Sequence, residues 1–152
     1  MKNRDTDKVV DLEDLGLRYR VRILIKHPSE DLNALTLETA LAPKLLFTKG
    51  AQRFAPNGVM LPGTHAASTW SYWEDFRDSR AFSNGVRSML DALAPASDSI
   101  NRLVDGGGEA MLILEFQGHR NIGDAIDRCD LVRMAELGLE LGIEVYPNGL
   151  RA

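Results

Sequence analysis

Apolar and charged positions alternate most clearly near the start of the chain, where Tyr19, Val21, Ile23 and Ile25 are interleaved with Arg18, Arg20, Arg22 and Lys26 and only Leu24 interrupts. A period of two is that of a half-buried strand, packed on one face and here basic and wet on the other. Pro28 has no amide hydrogen for a ladder and ends the strand after His27, and Ser29 or Asp31 is placed to cap a short helix carrying Leu32, Leu35 and Ala40. Phe82, Val86, Met89, Leu90 and Leu93 then form a helical stripe, with Asp78 or Ser79 as its cap and Pro95 as its stop. A second helix starts at Ser97, aligns Ile100, Leu103 and Val104, and ends at Gly106-Gly107-Gly108. Ala110, Leu112, Leu114 and Phe116 alternate with Met111, Ile113 and Glu115, which predicts a strand apolar on both faces through its first half and central in a sheet. Asp130 is the expected cap of a last helix carrying Leu131, Met134, Ala135, Gly138 and Leu141 up to Gly142, and Ile143 to Tyr146 the closing strand.

The middle of the chain is less regular. Lys49-Gly50, Pro56-Asn57-Gly58 and Pro62-Gly63 are turn signals, with a short strand expected at Val59-Met60-Leu61 and a longer one from Thr69 to Phe76, the two pairing as a hairpin. The order of elements predicts an α+β fold: a mixed, largely antiparallel sheet with helices packed on one face, of which a ferredoxin-like arrangement is the specific variant. Residues 1–16, rich in alternating charge and poor in large apolar side chains, read as a flexible arm, 17–147 as one domain and 148–152 as a tail.

A net charge of -4 lacks the basic footprint of most nucleic-acid binders, so no nucleic-acid partner is expected. No apolar run approaches the roughly 20 residues of a membrane-spanning helix, so no membrane partner is expected either. Cys129 is the single cysteine, and MKNRDTDKVVDLEDL lacks the apolar segment of a secretory signal, which together predict a cytoplasmic protein.

Candidate chemistry is sparse. His27, His65 and His119 stand at no metal-ligand spacing and read as solvent-facing turn residues, so no metal is expected. His65 is the best placed of them, in a Gly/Pro-rich loop ahead of an aromatic strand, because functional side chains concentrate on loops. The glycine triplet at 106–108 leads from helix to strand and into Glu109, the wrong direction for a phosphate cradle, and reads as a turn. Glu74, Asp75, Arg77, Asp78 and Arg80 hold enough carboxylates for acid–base work, although such dense charge is ordinarily a solvated surface. Cys129 lies between Asp127 and Asp130, a poor setting for a thiolate despite adjacent Arg128. Trp70 and Tyr72 share one face of their strand and Trp73 takes the other, making Trp70 the core residue and Trp73 the candidate exposed aromatic. His65, Trp73, Glu74 and Asp75 are therefore the candidate binding set; no catalytic residue is assignable, and no cofactor fingerprint is present.

The order of landmarks resembles that of a bacterial family, domain of unknown function 4279. The matching segments are YRVRILIKH, Leu41-Ala42-Pro43 through Lys49-Gly50, Thr69-Trp70, Met89 to Leu93, MLILEFQ, and Leu137 to Tyr146, spanning about residues 19–146. The resemblance implies one α+β domain with Pro43, Gly50, Trp70 and Tyr146 as fold landmarks, and it brings no catalytic residue. Glu74-Asp75 and the stretch from His119 to Cys129 depart from it. The functional expectation is a non-enzymatic binding or protein-interaction domain, of the immunity kind if it neutralises its partner, acting through the sheet surface or the 44–69 loop. An acidic chain suits a basic protein partner. The alternative is a small hydrolase or ligand-binding enzyme using the 44–76 region, with His65 and Glu74 or Asp75 near Trp73. A homodimer through a strand edge or sheet face is the remaining expectation.

Overall fold

The alternation at the start forms β1, Arg18–His27, the central strand of the computed structural model, which describes residues 18–77, 81–117 and 123–146. Its neighbours are β5 (Ser68–Phe76) and β6 (Glu109–Gln117), both antiparallel to it. The edges are β2 (Leu45–Phe47), antiparallel to β5, and β7 (Glu140–Tyr146), parallel to β6, giving the order β2-β5-β1-β6-β7. β6 is thus interior, and β1 holds the centre.

Four helices build one layer: α1 (Ala34–Thr39), α2 (Phe82–Leu93), α3 (Ser97–Asp105) and α4 (Arg128–Glu136). A single 3-10 turn at Ala94–Ala96 lets Pro95 redirect the chain between α2 and α3. Val21, Ile23 and Ile25 of β1, Trp70 of β5 and Leu112 and Leu114 of β6 point to this layer and are fully buried against Leu35, Val86, Leu90 and Ile100. The fold is α+β, a mixed and mostly antiparallel sheet with its core on one side. Within it, β1, β2, β5 and β6 have the strand order and directions of the ferredoxin-like arrangement: β5 lies between β1 and β2, which α1 connects, and β1 lies between β5 and β6, which α2 and α3 connect, with every neighbouring pair antiparallel. β7 extends this sheet beyond β6 and forms the one adjacent parallel pair among the described residues.

Other expectations are corrected by pairing that local pattern does not reveal. β4 (Met60–Thr64) pairs with β3 (Gln52–Phe54) rather than with the Trp70 strand. Gly58, at φ 81, makes the tight turn, with its amide donating to the Ala55 carbonyl. At the start of α1, Asp31 accepts from the Asn33 amide ahead of the helix, Asn33 occupies the cap position, and Ala40 is exposed beyond it. The expected caps Asp78 and Ser79 lie outside the described residues, as do the arm, the tail and His119; the first-turn amide of Ser83 donates to Asp124 instead. Asp127 caps α4 by accepting from the Asp130 amide at 2.8 Å. Asp130 itself is buried in the first turn. Gly138, at φ 66, ends α4 and returns the Leu139 amide to the Met134 carbonyl, so Leu141 and Gly142 belong to β7 rather than to the helix.

His27 is buried, not turned to solvent. Its Nδ1 accepts from the amides of Ser29 and Glu30 at 3.1 and 2.7 Å, which places the ring proton on Nε2 and satisfies the chain as it leaves β1 past Pro28. The glycine triplet packs on the same ring. A Cβ on Gly108 would stand 2.8 Å from the carbonyl oxygens of Lys26 and Leu103 and 2.9 Å from His27 Cδ2. The triplet is a turn whose composition is set by close backbone approach.

Candidate functional site

Strand register sorts the candidate residues before any side chain is considered. On the face of the sheet without helices, Arg20 stands opposite Asp75 on one side and Glu115 on the other, and Arg22 opposite Trp73 and Ile113. Glu144 lies beside Glu115 across the parallel pair. The outer face is therefore less wet than the alternating arginines imply. Arg20 Nε donates to Asp75 at 2.6 Å, and the carboxylate of Glu115 lies 3.1 Å from Arg22 and 3.6 Å from Arg20. Trp73 is half-buried under two cations: the Arg20 guanidinium carbon is 5.3 Å and the Lys44 ammonium 5.1 Å from its ring centre. Tyr146 donates to Glu144 along β7.

Glu115 was not singled out by sequence, because a glutamate near the end of an apolar strand shows no sign of its partners on β1. Its side chain is only 3% exposed. Burial pushes its carboxyl above the usual value of 4.5, opposed by the charges of Arg22 and Arg20. Asp75 moves the other way, below the usual range, chiefly through the hydrogen bond from Arg20. The two carboxyls therefore act oppositely on stability. Asp75 contributes above its unfolded value and loses that contribution as the pH falls, whereas Glu115 costs stability as the pH rises from 4.5 through its raised folded value. Glu115→Gln removes the second effect. Its stability relative to the native chain is expected to rise from acid to neutral pH, read as the difference in urea midpoints at either end; a difference that is flat or falls would show that the arginines outweigh burial.

The four candidate residues do not converge. Trp73 and Asp75 share the open face with Arg20, whereas Glu74 points to the helix side, where it accepts from Tyr72 at 2.6 Å and pushes that phenol up to about 12. His65 sits before β5, its ring stacked on Phe47 with centres 4.3 Å apart. From Ser68 to Asp75 an extended strand covers roughly 23 Å at about 3.3 Å per residue. The imidazole is thus out of reach of either carboxylate, and the arrangement provides no acid–base pair for the hydrolase alternative.

His65 instead anchors the β3–β4 hairpin. Its amide donates to the Ala51 carbonyl at 2.9 Å and its carbonyl accepts from the Gly50 amide at 2.8 Å, closing the base of the hairpin while the ring packs on β2. Beyond that base, Phe54 and Met60 are register partners, and they and Val59 are each more than half exposed. These three form a cluster of large, exposed apolar side chains on one hairpin. The sequence showed the turn at Asn57-Gly58 but not this cluster, since Phe54 falls in a polar stretch and Met60 read as an ordinary strand residue.

Among the described residues, no group of three or more His, Cys, Asp or Glu side chains is arranged to hold a metal ion, and no helix is long and apolar enough to cross a membrane. Cys129 is exposed in the first turn of α4. No family model, curated protein or solved structure matches the chain.

Proposed function

We propose that the chain is a non-enzymatic binding domain that engages a protein partner through the apolar end of the β3–β4 hairpin. The observation that carries this reading is the joint exposure of Phe54, Val59 and Met60 on an element tied to the domain through Gly50, Ala51 and His65. An aromatic ring and an unbranched thioether are apolar anchors of the kind a partner's pocket buries at an interface. The net charge of -4 suits a basic partner, and a partner-neutralising role of the immunity kind is the finer form of the proposal. Kinship with domain of unknown function 4279 belongs to the same proposal, supported by Trp70 in the core and by Gly50 at φ 80, where a side chain would be strained.

The test is affinity capture from the source cell with the native chain and with the double variant Phe54→Ser, Met60→Ser, followed by binding of the purified pair. Both side chains are exposed, so the variant is expected to keep its melting temperature within a few degrees. It is expected to lose its partner by at least tenfold in affinity, about 1.4 kcal/mol. Equal affinity of both forms would remove the hairpin from the interface.

A further inference from the structure

The two edges of the sheet differ. β2 is three residues long, and the chain turns from it into the hairpin; β7 runs for seven residues, Glu140–Tyr146, with β6 on one side and no strand on the other among the described residues. An open edge is ordinarily blunted by lysine, proline, a bulge or shortness. Among the described residues β7 has no lysine, proline or bulge, and its charges are Glu140 and Glu144. Its side chains toward the helix side are Leu141, Ile143 and Val145, exposed by 41%, 64% and 64%, although the facing positions of β6, Leu112, Leu114 and Phe116, are core. A half-covered apolar strand at an unprotected edge is incomplete as a sheet element.

We infer that β7 pairs with β7 of a second copy of this chain, antiparallel about a two-fold axis through Ile143, joining the two sheets into one. The symmetry fixes the choice. A two-fold perpendicular to the sheet keeps each face on its own side, so only registers centred on a residue are allowed. Centring on Gly142 sets Glu140 opposite Glu144 of the other copy, and centring on Glu144 sets two glutamates face to face, both unfavourable. Centring on Leu141 or Val145 leaves part of the strand unpaired. Centring on Ile143 pairs all seven residues. Leu141 then faces Val145, Gly142 faces Glu144, and Glu140 faces Tyr146, so no like charges stand directly opposite each other and the six apolar side chains form one stripe. This surface is separate from the hairpin, and the Phe54→Ser, Met60→Ser variant is expected to dimerise as the native chain does.

The experiment is light scattering of the full chain eluted over about a hundredfold range of concentration, since association follows mass action. The native chain is expected to reach twice 16.8 kDa at the upper end, and Ile143→Lys, which sets two cations together on the axis, to stay at one chain mass throughout. Ile143→Cys in a Cys129→Ser background supplies the second measurement, with oxidation expected to yield a dimer linked through position 143, because a residue on the two-fold meets its own copy. A native chain monomeric across the range, a dimer unaffected by Ile143→Lys, or an Ile143→Cys variant that stays unlinked in the dimer would each overturn the inference.

Discussion

Replacing Trp70 by alanine is expected to cost roughly 3–5 kcal/mol of stability, the range for emptying an aromatic site in a packed interior. The side chain is fully buried on β5 between the sheet and the helix layer, and it is also held by polarity: its indole nitrogen donates to Thr36 of α1 at 3.1 Å. Alanine therefore leaves both a cavity and a hydroxyl without its donor. At about 2–4 °C per kcal/mol for a chain of this size, the melting temperature should fall by roughly 6–20 °C. Trp73→Ala is the internal comparison, because that ring is half-exposed and its neighbour Arg20 also pairs with Asp75 and Glu115; its cost should stay near 1 kcal/mol. Thermal melts followed by circular dichroism report both values. Similar losses for the two tryptophans would contradict the division of β5 into a core face and an open face.

Gly108→Ala is expected to be the next most damaging single change, at about 3 kcal/mol, the upper end of what overpacking costs. The added methyl meets the carbonyl oxygens of Lys26 and Leu103 at 2.8 Å, and these belong to β1 and α3, so no rotamer change can relieve the contact. Either the turn must open or β1 must move away from α3, and the His27 ring that receives two amide hydrogen bonds lies in the same contact. Gly107 provides the contrast. A Cβ there meets nothing within 4 Å, but its φ of 94 leaves a side chain strained, so Gly107→Ala should cost only about 1–2 kcal/mol. Urea unfolding of the two variants separates close approach from backbone strain, and a smaller loss at position 108 than at 107 would refute the packing account.

What could be read from the sequence was what local periodicity encodes. β1, α2, α3 and β6 follow from apolar spacing alone, and so does the assignment of Trp70 to the core against Trp73 on the other face. The errors arose where two local readings were equally good. Asp127 and Asp130 are both short acids before an apolar stretch, and only the structure shows that Asp130 is buried against Arg87 and Arg133, at 3.0 and 3.2 Å, while Asp127 does the capping. Leu137 to Leu141 satisfies a helical and an extended period together, and the positive φ of Gly138 decides between them. The candidate site was harder to find, since its parts are defined by distant pairing. Arg22 and Glu115 meet across more than ninety residues of sequence, His65 acts through its backbone and a stacking contact, and exposed Phe54 and Met60 stand out only once a hairpin projects them.

The central place of β1 has a consequence for how the chain is made. Synthesis delivers β1 before either neighbour, and Tyr19 must wait for Phe76 on one side and for Phe116 on the other. Its apolar row therefore leaves the ribosome without a partner, and folding cannot close until most of the domain has been translated. During that interval the arginines and lysine of the opposite row act as gatekeepers, holding a strand of high β-propensity in solution and away from other nascent chains. The charges that later lock onto Asp75 and Glu115 thus serve first as protection against premature pairing.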